Sequence, residues 1–356
     1  PPYPELFAWA ADGADPPDMA DIPLFKPFML AHPLEETVVS LDDYVAEWKW
    51  DGIRVQMVHA GGETRLYSRG GDDISHTFPE MLPALDFPAI LDGELLVQGT
   101  TQGGKAGGAA SFNALQQRLG RKTVSKKMLA ESPAFVRVYD VLSLDGENLR
   151  DRPWSERRAL LEQLMARLPA ERFDLSAIVE ARDFEHLAQI REGARDDAIE
   201  GLMLKLRDSP YVPGRKTGLW YKWKRDPLLI DCVLMYAQRG SGKRSSFYSD
   251  YTFGCWDGDP DAGADLLPVG KAYSGFTDEE LKKLDRHVRQ NTVNRFGPVR
   301  ETDKSLVFEV AFDSVHESKR HKSGLAMRFP RIHRIRWDKP PHEADRIEAL
   351  RALIRD

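Results

Sequence analysis

Ile53, Val55 and Met57 alternate with Arg54 and Gln56, and a period of two predicts a strand with one buried face. Gly61-Gly62 supplies a hairpin turn before a second strand over Leu66 to Arg69. Short apolar runs predict further strands at Ile90 to Val97, Phe135 to Leu142 and Ile199 to Leu206. Leu160, Leu161, Leu164, Met165 and Leu168 follow helical spacing, with Ser155 placed to cap that helix and Pro169 to end it. Mixed strands and helices over residues 26–226 imply an α+β domain.

Beyond Arg225 strands take over, at Leu228 to Tyr236, Tyr248 to Trp256 and Leu306 to Phe312. One helix interrupts them, announced by Thr277 and Glu280 at capping-box spacing ahead of Leu281, Leu284 and Val288. This pattern suits a small all-β barrel with one inserted helix over residues 227–356, ending in a C-terminal helix. Residues 1–25, rich in Pro and Asp, read as an extended arm or linker.

Composition narrows the classes. The 356 residues are 42% hydrophobic, enough apolar material for two cores. A net charge of −6 excludes a chain that is basic throughout, so a nucleic-acid surface must come from local clusters of Lys and Arg. Two such clusters stand out: Ser314 to Lys339 holds eight basic residues against two acids, and Arg239 to Arg244 holds three. Cys232 and Cys255 are too few for a disulfide framework and fit a cytoplasmic setting. With no apolar run of about 18 residues, no membrane partner is expected. Pro1 in place of a Met leaves room for a further domain ahead of this sequence.

The sharpest feature is Glu47-Trp48-Lys49-Trp50-Asp51-Gly52-Ile53-Arg54, a Lys between two indoles at a strand end. A Lys amine is a nucleophile only once deprotonated, which apolar walls and nearby cations favour. Trp48 and Trp50 either supply those walls or turn into the core. Downstream, in order, come Ser68-Arg69-Gly70-Gly71, Leu91-Asp92-Gly93-Glu94, Val138-Tyr139-Asp140-Val141-Leu142, Glu200-Gly201-Leu202-Met203-Leu204-Lys205 and Tyr221-Lys222-Trp223-Lys224-Arg225. Singly each is weak. Gly240-Ser241-Gly242-Lys243 is a decoy, because Arg244 stands where a phosphate-binding loop needs Ser or Thr. Gly99 to Gly108 is Gly-rich without a phosphate-binding pattern and reads as a mobile loop.

Together, in this order, the motifs resemble those of the ATP-dependent DNA ligases, within the covalent nucleotidyltransferase superfamily. Arg328-Phe329-Pro330-Arg331 and Arg334-Ile335-Arg336-Trp337-Asp338-Lys339 look like that family's C-terminal motif, and Phe112-Asn113-Ala114-Leu115-Gln116 adds to the likeness. The resemblance implies an adenylation domain followed by an OB-fold, with ATP and Mg²⁺ or Mn²⁺ as cofactors and nicked double-stranded DNA as partner of a monomeric bacterial enzyme. Lys49 would carry AMP. Glu47 would join the nucleotide site, Arg54 and Arg69 would bind ribose hydroxyls and later the 5′-phosphate, and Tyr139 would stack on adenine unless it is a core residue. Glu94 would sit at the ribose and, with Glu200, hold the metal. Lys222 and Lys224 would neutralise the α-phosphate. Arg328, Arg331, Arg334, Arg336, Asp338 and Lys339 are the candidates for orienting pyrophosphate once the second domain swings over the nucleotide, and alternation along a strand keeps some of them from that role. Two alternatives remain: an RNA ligase or GTP-using capping enzyme with the same chemistry, and a non-catalytic module that only binds nicks or ends.

Overall fold

The structure, a computed structural model, describes residues 10, 11, 21–34, 39–98, 115, 118, 124–194, 199–240, 242, 245–319 and 321–354. The Gly99 to Gly108 loop, nearly all of the Phe112 to Gln116 motif, and Lys243 and Arg244 lie outside the described residues. Two compact units divide the chain, Pro1–Arg225 and Asp226–Asp356. No helix among the described residues is long and apolar enough to cross a membrane.

Two large sheets dominate the first unit, beside a two-stranded pairing of Met29–Leu30 with Gly214–Arg215. One sheet centres on β1 (Tyr44–Trp50), and the other carries β2 (Ile53–Ala60), β3 (Glu63–Ser68), β4 (Ala89–Val97) and β5 (Ala134–Leu144). Helices α1 (Trp154–Leu164) and α2 (Phe184–Gly193) follow, then β6 (Ile199–Leu206) and β7 (Trp220–Lys224) form the centre of the first sheet in the order β1-β6-β7, with Ile178–Val179 and His32–Pro33 at its edges. In the second sheet the order is β3-β2-β4-β5. Arg69 falls just past β3, in a turn closed by the Gly71 N–H to the Ser68 carbonyl. Helix α1 starts two residues earlier than its sequence suggested: Pro153 is its cap, and Ser155 lies inside the first turn without a capping bond. The Ser155 N–H, one of the first-turn donors a cap would serve, donates instead to the Arg207 carbonyl at 2.9 Å. Leu161 and Leu164 of α1 pack in the core of the second sheet with Val136, Val138 and Phe173. At the end of the segment read as an arm, Phe25 packs edge-on against Phe28, and the Tyr67 hydroxyl donates to the Pro23 carbonyl.

In the second unit β8 (Leu228–Arg239) pairs with three strands along its length: β9 (Tyr248–Trp256), β12 (Val299–Thr302) and β13 (Val307–Phe312). The ladder continues through β10 (Leu266–Ala272), β11 (Thr292–Phe296) and β14 (Arg331–Arg336). Two bulges between β8 and β9 bend the long strand, so that Cys232, Leu234, Phe253 and Phe308 share one core. Helix α3 (Asp278–Gln290) carries both bonds of the expected capping box, and its buried face is Leu281, Leu284 and Val288. A short C-terminal helix, α4 (Ile347–Arg351), buries Ile347 and Leu350.

Candidate active site

The first sheet places its charged residues by strand alternation. Lys49, Gly201 and Lys224 are paired neighbours across β1, β6 and β7, and Glu47, Met203 and Lys222 form the next row. Residues two apart share a face, so Lys49, Glu47, Lys222, Lys224 and Lys205 all line one cavity of about 470 Å³. Residues of opposite parity turn away: Trp48 and Trp223 pack with Leu187, Leu202 and Leu204, and Trp223 stacks on Phe184 with centroids 4.7 Å apart. Of the two indoles flanking Lys49, Trp48 therefore serves the core. Trp50 donates to Ser176 Oγ at 3.1 Å and lies under the Arg137 guanidinium.

Two cavity residues escape alternation because each sits at a bulge, where one extra residue re-aims its neighbours. Ile199 pairs with Trp50 and Gly201 with Lys49, and this register shift turns Glu200 to the same side as Gly201. Gly201 has φ of 149°, and a Cβ there would lie 2.3 Å from the Trp223 carbonyl oxygen, so only glycine fits between the two lysines. On β5, Asp140 pairs with Asp92 and Val138 with Gly93, which leaves Tyr139 as the extra residue beside the cavity. Arg69 reaches the cavity from its turn, and Arg54 and Glu94, paired across β2 and β4, line it from the second sheet.

The mouth is held by exchangeable charges. Lys49 Nζ donates to Glu200 Oε2 at 2.6 Å, and Lys224 Nζ lies 3.0 Å from the same oxygen. Burial pushes the Glu200 carboxyl up, but the two ammonium groups and their hydrogen bonds outweigh it and hold it below its usual value. Desolvation lowers the Lys222 ammonium, and the charges of Arg215, Lys224, Lys49 and Arg69 lower it further. Glu94, enclosed by protein, is raised to about 8 by desolvation, with Lys49 and Arg54 opposing and Glu200 adding to the rise. Its Oε1 accepts from the Gly52 N–H at 3.1 Å. Two carboxylates that feel each other form an all-oxygen donor set of the kind that suits a hard divalent cation. Among the described residues no group of three metal-binding side chains forms, so phosphate oxygens and water would complete such a cation's shell.

The floor is fixed. Arg54 Nε and Nη2 donate to the two Asp92 oxygens at 3.1 and 2.7 Å, Nη1 donates to the Met29 carbonyl at 2.8 Å, and Nη2 also reaches the Tyr211 hydroxyl at 3.3 Å. The Tyr211 hydroxyl donates to Asp92 at 2.7 Å. Of the five N–H groups of a guanidinium, one on Nη1 is left, so in this arrangement Arg54 offers a nucleotide a single hydrogen bond and not a two-pronged fork. Lys205, 2% exposed, donates to Glu47 at 3.0 Å and lies 4.7 Å from the centroids of both the Tyr139 and Trp220 rings. Asp92, Lys205 and Tyr211 are site-supporting residues that reading the sequence did not assign. Lys205 had a signal, a lone cation on the inward side of an apolar strand; Tyr211 had none.

In the second unit the C-terminal motif is divided by a third bulge. Val310 pairs with Ile332 and Glu309 with Arg334, leaving His333 as the extra residue, so Ile332 and Ile335 both reach the core. Lys339 Nζ lies 2.6 Å from Asp231 Oδ2, and Arg336 lies 3.5 Å from the same oxygen and 3.0 Å from Asp338. Arg331 pairs with Asp313 at 3.2 Å, while Arg334 is exposed. Arg328 lies over Phe329, and desolvation lowers its guanidinium to about 10.

Residues 28–224 match the family described as the ATP dependent DNA ligase domain, and residues 244–339 match the ATP dependent DNA ligase C terminal region. A probable DNA ligase of Koribacter versatilis is 37% identical, over 93% of this chain and 61% of that protein. A DNA ligase of Archaeoglobus fulgidus is 33% identical, over 92% of this chain and 57% of that protein. This chain thus spans about 60% of the length of these relatives. A structure described as a Lig E DNA ligase with a minimal DNA-binding scaffold superposes with a TM-score of 0.59 at 18% identity, over 88% of this chain and all of that one. The structure called Pmar-Lig_PreS3 gives 0.61 at 17%, over 93% and 71%. At these identities the two structures speak for the fold, an adenylation domain with an OB-fold behind it. The chain belongs to the ATP-dependent DNA ligase family.

Proposed function

We propose that this chain seals nicks in duplex DNA, using ATP and forming a lysyl-AMP intermediate on Lys49. The observation that carries the reading is the convergence of Lys49, Arg69, Glu94, Tyr139, Glu200, Lys222 and Lys224 on one cavity from separate strands and turns. Its volume lies within the range of ordinary small-ligand sites. The unprotonated Lys49 amine attacks the α-phosphorus of ATP, a P–N bond forms, and the bond to the bridging oxygen breaks as pyrophosphate leaves. An oxygen of the DNA 5′-phosphate then displaces Lys49 from AMP, and the adjoining 3′-hydroxyl attacks that 5′-phosphate with AMP as the leaving group.

Lys222 and Lys224, on one face of β7, meet the negative charge that builds on the α-phosphate. Arg69 and the remaining N–H of Arg54 bind ribose and phosphate oxygens, Glu47 helps to hold the nucleotide, and Tyr139 offers its ring to adenine. Glu94 and Glu200 would hold Mg²⁺ or Mn²⁺, which supplies charge neutralisation at the phosphates. Glu200 must give up its bond to Lys49 before the amine is free, and Lys224, already 3.0 Å from the same oxygen, can keep that carboxylate paired. To Arg328, Arg331, Arg334, Arg336, Asp338 and Lys339 we assign the departure of pyrophosphate and contacts to DNA. Action as a monomer in a bacterial cytoplasm belongs to the same proposal.

Intact mass after incubation with ATP and Mg²⁺ tests it. The wild type gains one AMP and Lys49→Ala gains none. A gain with GTP alone would point to capping chemistry, and no gain with either nucleotide would leave a module that only binds nicks.

A further inference from the structure

Where the segment read as an arm meets the first unit, three side chains of the second sheet hold its backbone. Arg54 and Gln56 share one face of β2, and Tyr67 of β3 is the ladder partner of Gln56. The Tyr67 hydroxyl donates to the Pro23 carbonyl at 2.6 Å. Gln56, fully buried, accepts from the Lys26 N–H at 2.7 Å and donates to the Lys26 carbonyl at 3.0 Å. Arg54 donates to the Met29 carbonyl, and the next two residues, Leu30 and Ala31, line the cavity.

Between those anchors, two rings connect the two arginines of the cavity. Phe28, 5% exposed, has its ring centroid 4.4 Å from Arg54 Cζ, well inside the reach of about 6 Å for a cation over a ring. Hydrogen bonds to Asp92, Met29 and Tyr211 act in the plane of the guanidinium and fix its rotation; a ring against its face fixes its tilt. Phe28 meets Phe25 edge-on at 5.2 Å, an attractive arrangement for two rings. Phe25 in turn packs against the turn that carries Arg69: Gly71 has φ of 86°, and a Cβ there would stand 3.1 Å from the Phe25 ring. Arg69 is exposed, and among the described residues no hydrogen bond or ion pair holds its side chain, so the turn aims it. Burial alone would be met by any two apolar side chains. Only rings give one face to a guanidinium and an edge to each other.

We propose that Phe25 and Phe28 are positioning residues for the reaction: the ring pair sets the separation and the aim of the Arg54 and Arg69 guanidinium groups, and so their hold on ribose and on the 5′-phosphate. The proposal rests on the ligase reading for what the two arginines hold. A reacting or binding group misplaced by about 1 Å can cost about 100-fold in rate. Arg54 has a single N–H left to give, so its direction matters more than that of a group with several donors. The backbone bonds from Gln56 and Tyr67 do not involve the rings, so the segment keeps its anchors when a ring is replaced.

Phe25→Leu, Phe28→Leu and the double variant keep apolar bulk and remove the rings. The whole chain is followed in two reactions: lysyl-AMP formation over a range of ATP concentrations, and AMP transfer from preformed lysyl-AMP protein to a nicked duplex without free ATP. The double variant should raise the KM for ATP about tenfold with kcat within about twofold, and should slow AMP transfer about tenfold. Each single variant should shift both by about threefold, and Phe25→Tyr, which keeps the ring, should regain most of what Phe25→Leu loses. Thermal melting shows which variants fold; if the double variant and Phe28→Leu do not, Phe25→Leu, at the less buried ring, carries the test. Folded variants with the wild-type KM and transfer rate overturn the proposal and leave the rings as packing, as does a loss that Phe25→Tyr fails to regain. Wild-type protein that forms no lysyl-AMP would instead overturn the ligase reading, and this proposal with it.

Discussion

Mouth and floor of the same cavity hold their cations in opposite ways. At the mouth, Lys49 and Lys224 share one oxygen of Glu200, and all three side chains keep solvent contact, with Lys224 49% exposed. On the floor, Lys205 and Glu47 are both 2% exposed, and Arg54 spends four contacts on Asp92, Met29 and Tyr211. Reactive groups must trade partners during group transfer, so a partly solvated pair that is weak on balance suits them. Groups that shape the cavity must not move, and a buried pair that is costly to break suits them. Charge alone does not distinguish the two roles; burial does.

The largest expected effect separates them by stability. Lys205→Met leaves the buried Glu47 carboxylate only the longer Arg158 contact at 4.0 Å and should lower unfolding stability by about 3 kcal/mol, whereas Glu200→Gln at the mouth should lower it by less than about 1 kcal/mol while stopping AMP transfer. Denaturant melts of the two variants check this, and similar losses in both would erase the contrast.

An intermediate effect concerns Glu94. Its folded-state value of about 8 lies above the ordinary 4.5, so the folded protein holds this proton more tightly than the unfolded chain does. The resulting stability is complete below pH 4.5 and is lost as the pH rises towards 8, at no more than about 1.4 kcal/mol per pH unit. In metal-free buffer Glu94→Gln should therefore gain on the wild type steadily between pH 5 and 8, and Mg²⁺ with nucleotide should shrink the difference. Parallel pH dependences of the two proteins would show that Glu94 does not titrate in this window.

The smallest effect is at Tyr211. Tyr211→Phe removes one hydroxyl from the Asp92–Arg54 network and should cost about 1 kcal/mol of stability, with a rise in KM for ATP larger than any fall in kcat. A fall in kcat at unchanged KM would place Arg54 among the groups acting on the transition state.

Periodicity located most of what matters. Alternation in Ile53–Met57 predicted a strand, and the Thr277–Glu280 spacing predicted a helix start that forms with both bonds. These are local properties: which side a residue faces on a regular strand, or which N–H a nearby hydroxyl reaches, depends on neighbours within a few positions. Motif order then singled out Lys49 and its companions, the residues we propose for the reaction, without any geometry.

Bulges and distant partners were beyond it. Glu200 and Tyr139 face the cavity because a neighbouring strand forces one extra residue into the ladder, and no pattern within either segment marks that residue. The Arg54 network joins residues 29, 54, 92 and 211, and the Lys205 box joins 47, 139, 205 and 220. The sequence by itself determined the family, most of the strands and the groups we propose as reactive, because those follow from short-range order. Only the tertiary structure decided which cations are free to react and which are fixed, because burial and hydrogen-bond saturation depend on segments far apart in the chain.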